Sequence, residues 1–96
     1  MFEEGKYKDF TNKEIQKDLE NQGYHPLLIT EKPNDHLDAH SHPENHILVV
    51  VEGEMKVKVD GKEIIMVPGD KLTIDSQVSH AAFFGSEGCK YLWIEF

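Results

Sequence analysis

Apolar and charged residues alternate strictly over Met55-Lys56-Val57-Lys58-Val59, the pattern of a strand with one buried and one wet face. Asp60-Gly61 follows, a strong signal for a two-residue hairpin, and Ile64-Ile65-Met66-Val67 reads as the returning strand, closed by Pro68-Gly69-Asp70. Upstream, His46 opens the most apolar run of the chain, Ile47-Leu48-Val49-Val50-Val51, and Leu27-Leu28-Ile29 is a shorter strand candidate followed by a loop at Pro33-Asn34-Asp35. Downstream come Leu72-Thr73-Ile74, a turn over Asp75-Ser76-Gln77, and His80-Ala81-Ala82-Phe83-Phe84. A turn over Gly85-Ser86-Glu87-Gly88 then leads to a last strand, Tyr91-Leu92-Trp93-Ile94-Glu95-Phe96. Helical spacing occurs once. Thr11 and Glu14 have capping-box spacing, Ile15 and Leu19 fall four apart, and Gly23 is a stop signal, so a surface helix is expected over roughly 12–22. The pattern predicts an all-β sandwich or barrel of seven or eight short strands with one short N-terminal helix.

Length and charge narrow the function. A chain of 96 residues is expected to form a single domain with a modest core. Its net charge of −8 and scattered lysines argue against nucleic acid and anionic membrane surfaces as partners. No run is long enough to span a bilayer, and the acidic start Met1-Phe2-Glu3-Glu4 does not resemble a signal peptide. The single cysteine, Cys89, excludes an internal disulfide. A cytoplasmic location is the expectation.

Candidate chemistry concentrates in His40-Ser41-His42-Pro43-Glu44-Asn45-His46, where three imidazoles fall on either side of a turn, and in the isolated His80. In a strand His40 and His42 point to one face. Neutral imidazole is the commonest nitrogen ligand of first-row metals, so His40, His42, His46 and His80 are the expected ligands of one divalent transition ion. Single histidines on strands are more often satisfied core or loop residues, and His25 and His36 are read that way. Manganese, iron, nickel, copper and zinc all suit imidazole, and an octahedral ion would keep two positions open. Tetrahedral zinc would instead close the site.

These residues resemble the cupin family. Its first motif runs His-x-His, three or four residues, an acidic residue, six residues and a glycine; His40, His42, His46 and Gly53 occupy those positions, with histidine in place of the usual glutamate. The second motif opens on a glycine, here Gly69, and its histidine aligns with His80. The resemblance covers residues 34 to 84, preceded by an arm over residues 1 to 30. It implies a small jelly-roll barrel, or double-stranded β-helix, around a four-histidine metal. Asn34 stands where the family has a glycine, Asp75 and Gln77 where it has a proline and a glycine, and Phe84 where an asparagine often closes the motif.

Counting in twos from His80 puts Ala82 and Phe84 on its inward face, making an apolar pocket wall to which Leu48 is added. With histidine at position 46 the ligand set carries no anion, which favours a small anionic or chelating ligand at the ion. Two functions follow as expectations: a metal-dependent, dioxygenase-like cupin, or a non-catalytic module that captures a small ligand. Glu44 is read as a solvated turn residue or a partner of an imidazole, Met55 and Met66 as core, and Tyr91 and Trp93 as barrel interior or dimer interface. Phe2, Tyr7 and Phe10 in the arm, with sheet edges to be covered, suggest a homodimer.

Overall fold

The computed structural model describes residues 1–96. In chain order the elements are β1 (Phe2–Glu3), α1 (Asn12–Asn21), β2 (Leu27–Glu31), β3 (His36–His40), β4 (His46–Val59), β5 (Lys62–Met66), β6 (Lys71–Ile74) and β7 (His80–Glu95). All strand pairs are antiparallel. Two long strands, β4 and β7, pair from His46 against Glu95 to Val59 against His80. Their outer halves carry the remaining strands. The first half of β4 pairs with β6, which in turn pairs with β1, and the second half of β7 pairs with β2. At the other end β5 pairs with β4, and β3 with the start of β7.

Four of the short strands read from the sequence are therefore two. The apolar run after His46 and the alternating run at Met55 are one strand, broken by register shifts around Val51 and Glu54. Gly85-Ser86-Glu87-Gly88 is not a chain reversal: β7 continues through it. Gly53 faces Cys89 and Met55 faces Phe84, so those residues bulge opposite Glu54 alone. Such a bulge turns a corner while the ladder goes on.

The two sequence patterns have different burial. Ile47, Val49, Leu92 and Ile94 point outward from the sheet and pack on Tyr7, Ile15 and Leu19 of the N-terminal arm and helix. Leu48, Val50 and Tyr91 point the other way, into an interior shared with Met55, Val57 and Phe84. That stretch of β4 is thus covered on both faces, which is why it is continuously apolar. Over Met55–Val59 only the inner face is covered, and Lys56 and Lys58 lie outside with Phe83.

The helix follows its end signals. Thr11 and Glu14 form the reciprocal capping box. At the other end Gly23 N–H donates to Glu20 and Tyr24 N–H to Leu19, a Schellman closure. The Asp60-Gly61 hairpin has positive φ at both residues, 52° and 73°, as its turn type requires. The arm is held in its own chain. Phe2 pairs opposite Leu72, Tyr7 is buried with its hydroxyl donating to Asp18, and the buried Asp70 carboxylate accepts from Gly5 and Val67 N–H. Burial and Asp18 push the Tyr7 phenol up to about 12. No helix is long and apolar enough to cross a membrane.

Candidate metal centre

The four histidines lie at one end of the strand ladder. His40 ends β3, directly opposite His80 at the start of β7; His46 opens β4; His42 stands in the connection between His40 and His46. The His40 ring centroid lies 4.4 Å from His80 and 4.6 Å from His42. His42 is 4.4 Å from His46 and 5.4 Å from His80, while His46 and His80 are 6.1 Å apart. His42 is therefore the hub. His25 and His36 stay outside: His25 is exposed, and His36 lies beside Asp38 and stacks on Phe83.

Two loops are locked together to make this cluster. Gln77 N–H donates to the His42 carbonyl at 2.6 Å, and Ser76 N–H to the Asn45 side chain at 2.8 Å. Gln77 has φ of 67° and Asn34 φ of 60°. Both positions where a glycine of the cupin pattern is replaced are thus left-handed, and the turns survive the substitutions at a cost of about 1–2 kcal/mol each, less for asparagine.

The ring orientations suit a cation. His40 Nδ1 lies 2.6 Å from the Asp38 carbonyl and His80 Nδ1 3.0 Å from the Val78 carbonyl, each two residues upstream. A carbonyl only accepts, so each Nδ1 carries the proton and each Nε2 keeps its lone pair free. One ring nitrogen each of His40, His42 and His80 lies within 4.8 Å of the others, close to the roughly 4.2 Å that separates opposite ligands about 2.1 Å from a metal. His46 is 3% exposed, and its Nε2 is fully buried with no hydrogen-bond partner. Such an orphan costs about 1–3 kcal/mol and calls for a partner in the cavity that His46 lines. The nitrogens that converge are those of His40, His42 and His80, with His46 adjoining them through His42, a cluster that could hold a metal ion.

Burial holds His46 and His80 below the usual imidazole range, and charge on the neighbouring imidazoles adds to the effect. Both rings therefore stay neutral to lower pH than in the unfolded chain. As pH falls below about 6.5, the unfolded chain takes up protons that the folded chain refuses, so this contribution to stability declines.

The cavity between the rings has a volume of about 50 Å³. Leu48, Met55, Val57, Ile74 and Ala82 form apolar walls, joined by Leu37, Tyr91 and Trp93. Leu48 and Ala82 thus stand where the sequence placed them. Phe84 faces inward too, but it does not line the cavity: it is stacked on Tyr91 with centroids 6.1 Å apart. Four residues along a strand are about 13 Å, which carries Phe84 past so small a space. The Tyr91 hydroxyl is occupied, donating to Glu31 at 2.7 Å. Burial pushes the Cys89 thiol up to about 12, leaving it a neutral core group. A larger open groove of about 640 Å³ beside the β4–β5 hairpin touches the site only through His80 and offers no convergent ligands.

Beside the imidazoles, a Glu44 carboxylate oxygen lies within 4.8 Å of ring nitrogens of His42 and His46. Composition marked the segment as a turn, and only the loop's path shows which way Glu44 faces. The turn residue Pro43 beside it was the one available signal.

Comparison with known families agrees with the fold. The Cupin domain model matches residues 27–95, so the chain belongs to the cupin superfamily. Among solved structures, an RmlC-like cupin from Shewanella frigidimarina is similar with a TM-score of 0.67 and 25% identity, over 75% of this chain and 65% of that one. A cupin superfamily protein from Desulfitobacterium hafniense gives a TM-score of 0.66 and 22% identity, over 72% of this chain and 62% of that one. A cupin-2 domain protein, also from Shewanella frigidimarina, gives 0.65 and 23%, over 75% of this chain and 69% of that one. The matched region is thus less than two thirds of the first two proteins' lengths. No protein of curated function matches the sequence.

Proposed function

We propose that this cupin holds one divalent transition metal through His40, His42, His46 and His80 and uses it on a small anionic or chelating molecule, in oxygenase-type chemistry. The observation that carries this reading is the buried, unpartnered His46 Nε2 beside three imidazoles whose nitrogens already converge. An ion held there would supply Lewis acidity toward a bound oxygen-donor molecule and redox chemistry toward O₂. The chain does the rest. Carbonyls of Asp38 and Val78 fix two rings in the ligating tautomer, and the apolar walls exclude bulk water. A cavity of about 50 Å³ admits only a few atoms beside the histidines, so the reacting head of a substrate enters it and the body stays at the mouth, near Leu37.

One observation favours the second reading, a binding module without turnover. Apart from the histidines, the cavity lining has no free acid or base, since the Tyr91 hydroxyl is engaged with Glu31. The two readings separate on O₂. Protein loaded with iron, manganese, nickel or copper is incubated with small oxo- and hydroxycarboxylates and with catechols. An oxygenase consumes O₂ only in the presence of one such compound. Equal recovery of every compound with and without air, for all four metals, would leave the module.

A further inference from the structure

We propose that Glu44 is a ligating carboxylate of this centre, on the side of His42 and His46; the inference rests on the metal-site reading above and deepens it. Two sets of ligand atoms overlap here. One is His40, His42 and His80, the other His42, Glu44 and His46, each with its atoms within 4.8 Å of one another. His42 belongs to both, so the two sets adjoin and Glu44 stands beside the ring that joins them. A second, independent observation marks the same end of the cluster: His46 in that second set is 3% exposed and its Nε2 has no partner.

The backbone around Glu44 is fixed. Asn45 N–H donates to the Phe96 carbonyl at 2.8 Å and Phe96 N–H returns a bond to Asn45 at 2.9 Å. Two residues before Glu44, the His42 carbonyl takes the Gln77 N–H. With both sides of Glu44 tied down and proline at position 43, only its side-chain torsions are left to place the carboxylate. A site preorganised this way loses little freedom on taking up a cation.

The chemistry differs from that of imidazoles alone. A carboxylate is a hard oxygen donor that offsets half of the dication's charge, and it favours manganese and iron more than it favours copper. It also competes with external anions. An oxygen-donor chelate would compete with that carboxylate better than a monodentate anion would.

The test compares the unaltered protein with Glu44→Gln, Glu44→Asp and Glu87→Gln, the last removing an exposed charge from the β7 bulge. Manganese(II) affinity is expected to fall about tenfold or more in Glu44→Gln, with a smaller loss for copper(II), an intermediate result for Glu44→Asp and no change for Glu87→Gln. The visible spectrum of the cobalt(II) form should shift in Glu44→Gln, and azide should bind that form more tightly than it binds unaltered cobalt protein. Unchanged metal affinity and cobalt spectrum in Glu44→Gln overturn the proposal while the histidine site stands. Equal losses in Glu44→Gln and Glu87→Gln also overturn it, since they reflect overall charge. Failure of the unaltered protein to bind any metal removes the histidine site itself.

Discussion

His42→Ala is expected to lower divalent-metal affinity at least about 100-fold, more than the 10–100-fold typical of losing a group that only supports a ligand. The reason is its place as hub: His42 is the one residue that belongs to both sets of candidate ligands. His40→Ala and His80→Ala each leave the second set whole and should cost less. The metal-free fold should barely change, because His42 lies outside the strands and its structural bond is made by its main-chain carbonyl to Gln77. Isothermal titration with each variant measures the order, and His36→Ala, outside the cluster, is the control expected to show no loss. Equal losses for all three ligand variants would contradict the hub.

Gly53→Ala is expected to be the most damaging small substitution to the fold itself. A Cβ at Gly53 would stand 2.2 Å from the Gly88 carbonyl oxygen and 3.1 Å from the Cys89 Cα, all backbone, and φ there is 79°. Neither side can yield without opening the β4–β7 ladder where it bulges. Left-handed strain and overpacking together amount to about 3 kcal/mol or more, lowering Tm by more than roughly 10 °C for a domain of this size. Gly61→Ala isolates the conformational part. Its φ is 73°, yet nothing lies within 4 Å of its Cβ, so the loss should be about 1–2 kcal/mol. Thermal unfolding of the two metal-free variants gives the difference, and equal losses would show that the contact with Gly88 does not matter.

The sequence was most legible where one local rule decided the outcome. Alternation around Lys56 and Lys58 gave a half-buried strand, Asp60-Gly61 gave its hairpin, and Thr11 with Glu14 gave the helix start. Met55 and Met66, read as core, are buried opposite each other, and Tyr91 and Trp93 line the interior. The spacing of His40, His42 and His46, with His80 apart, carried the cluster.

What was missed depends on pairing at a distance. Gly85-Ser86-Glu87-Gly88 has the composition of a reversal, but β4 beside it keeps the ladder going and makes it a bulge. β1 exists because Phe2 and Glu3 find Leu72 and Lys71, a pairing no pattern in the arm announces. The inward face of Phe84 was correctly counted, but parity along a strand says nothing about how far a cavity extends. Glu44 was read by composition as a turn residue. Its approach to His42 and His46 follows from the hydrogen bonds that tie the loop to Phe96, Ser76 and Gln77.

The most direct test of the metal centre is a calorimetric titration of metal-stripped protein with manganese(II), cobalt(II) or zinc(II), backed by elemental analysis of the loaded form. The expected result is about one ion per chain, bound near pH 7.5 and held more weakly near pH 5.5, because imidazoles must be neutral to ligate. Burial of His46 and His80 favours their neutral form, which should keep part of the affinity as pH drops through 6.5, the usual value for histidine. No binding of any of the three ions near pH 7.5, or binding that does not weaken on acidification, would contradict a histidine-held metal.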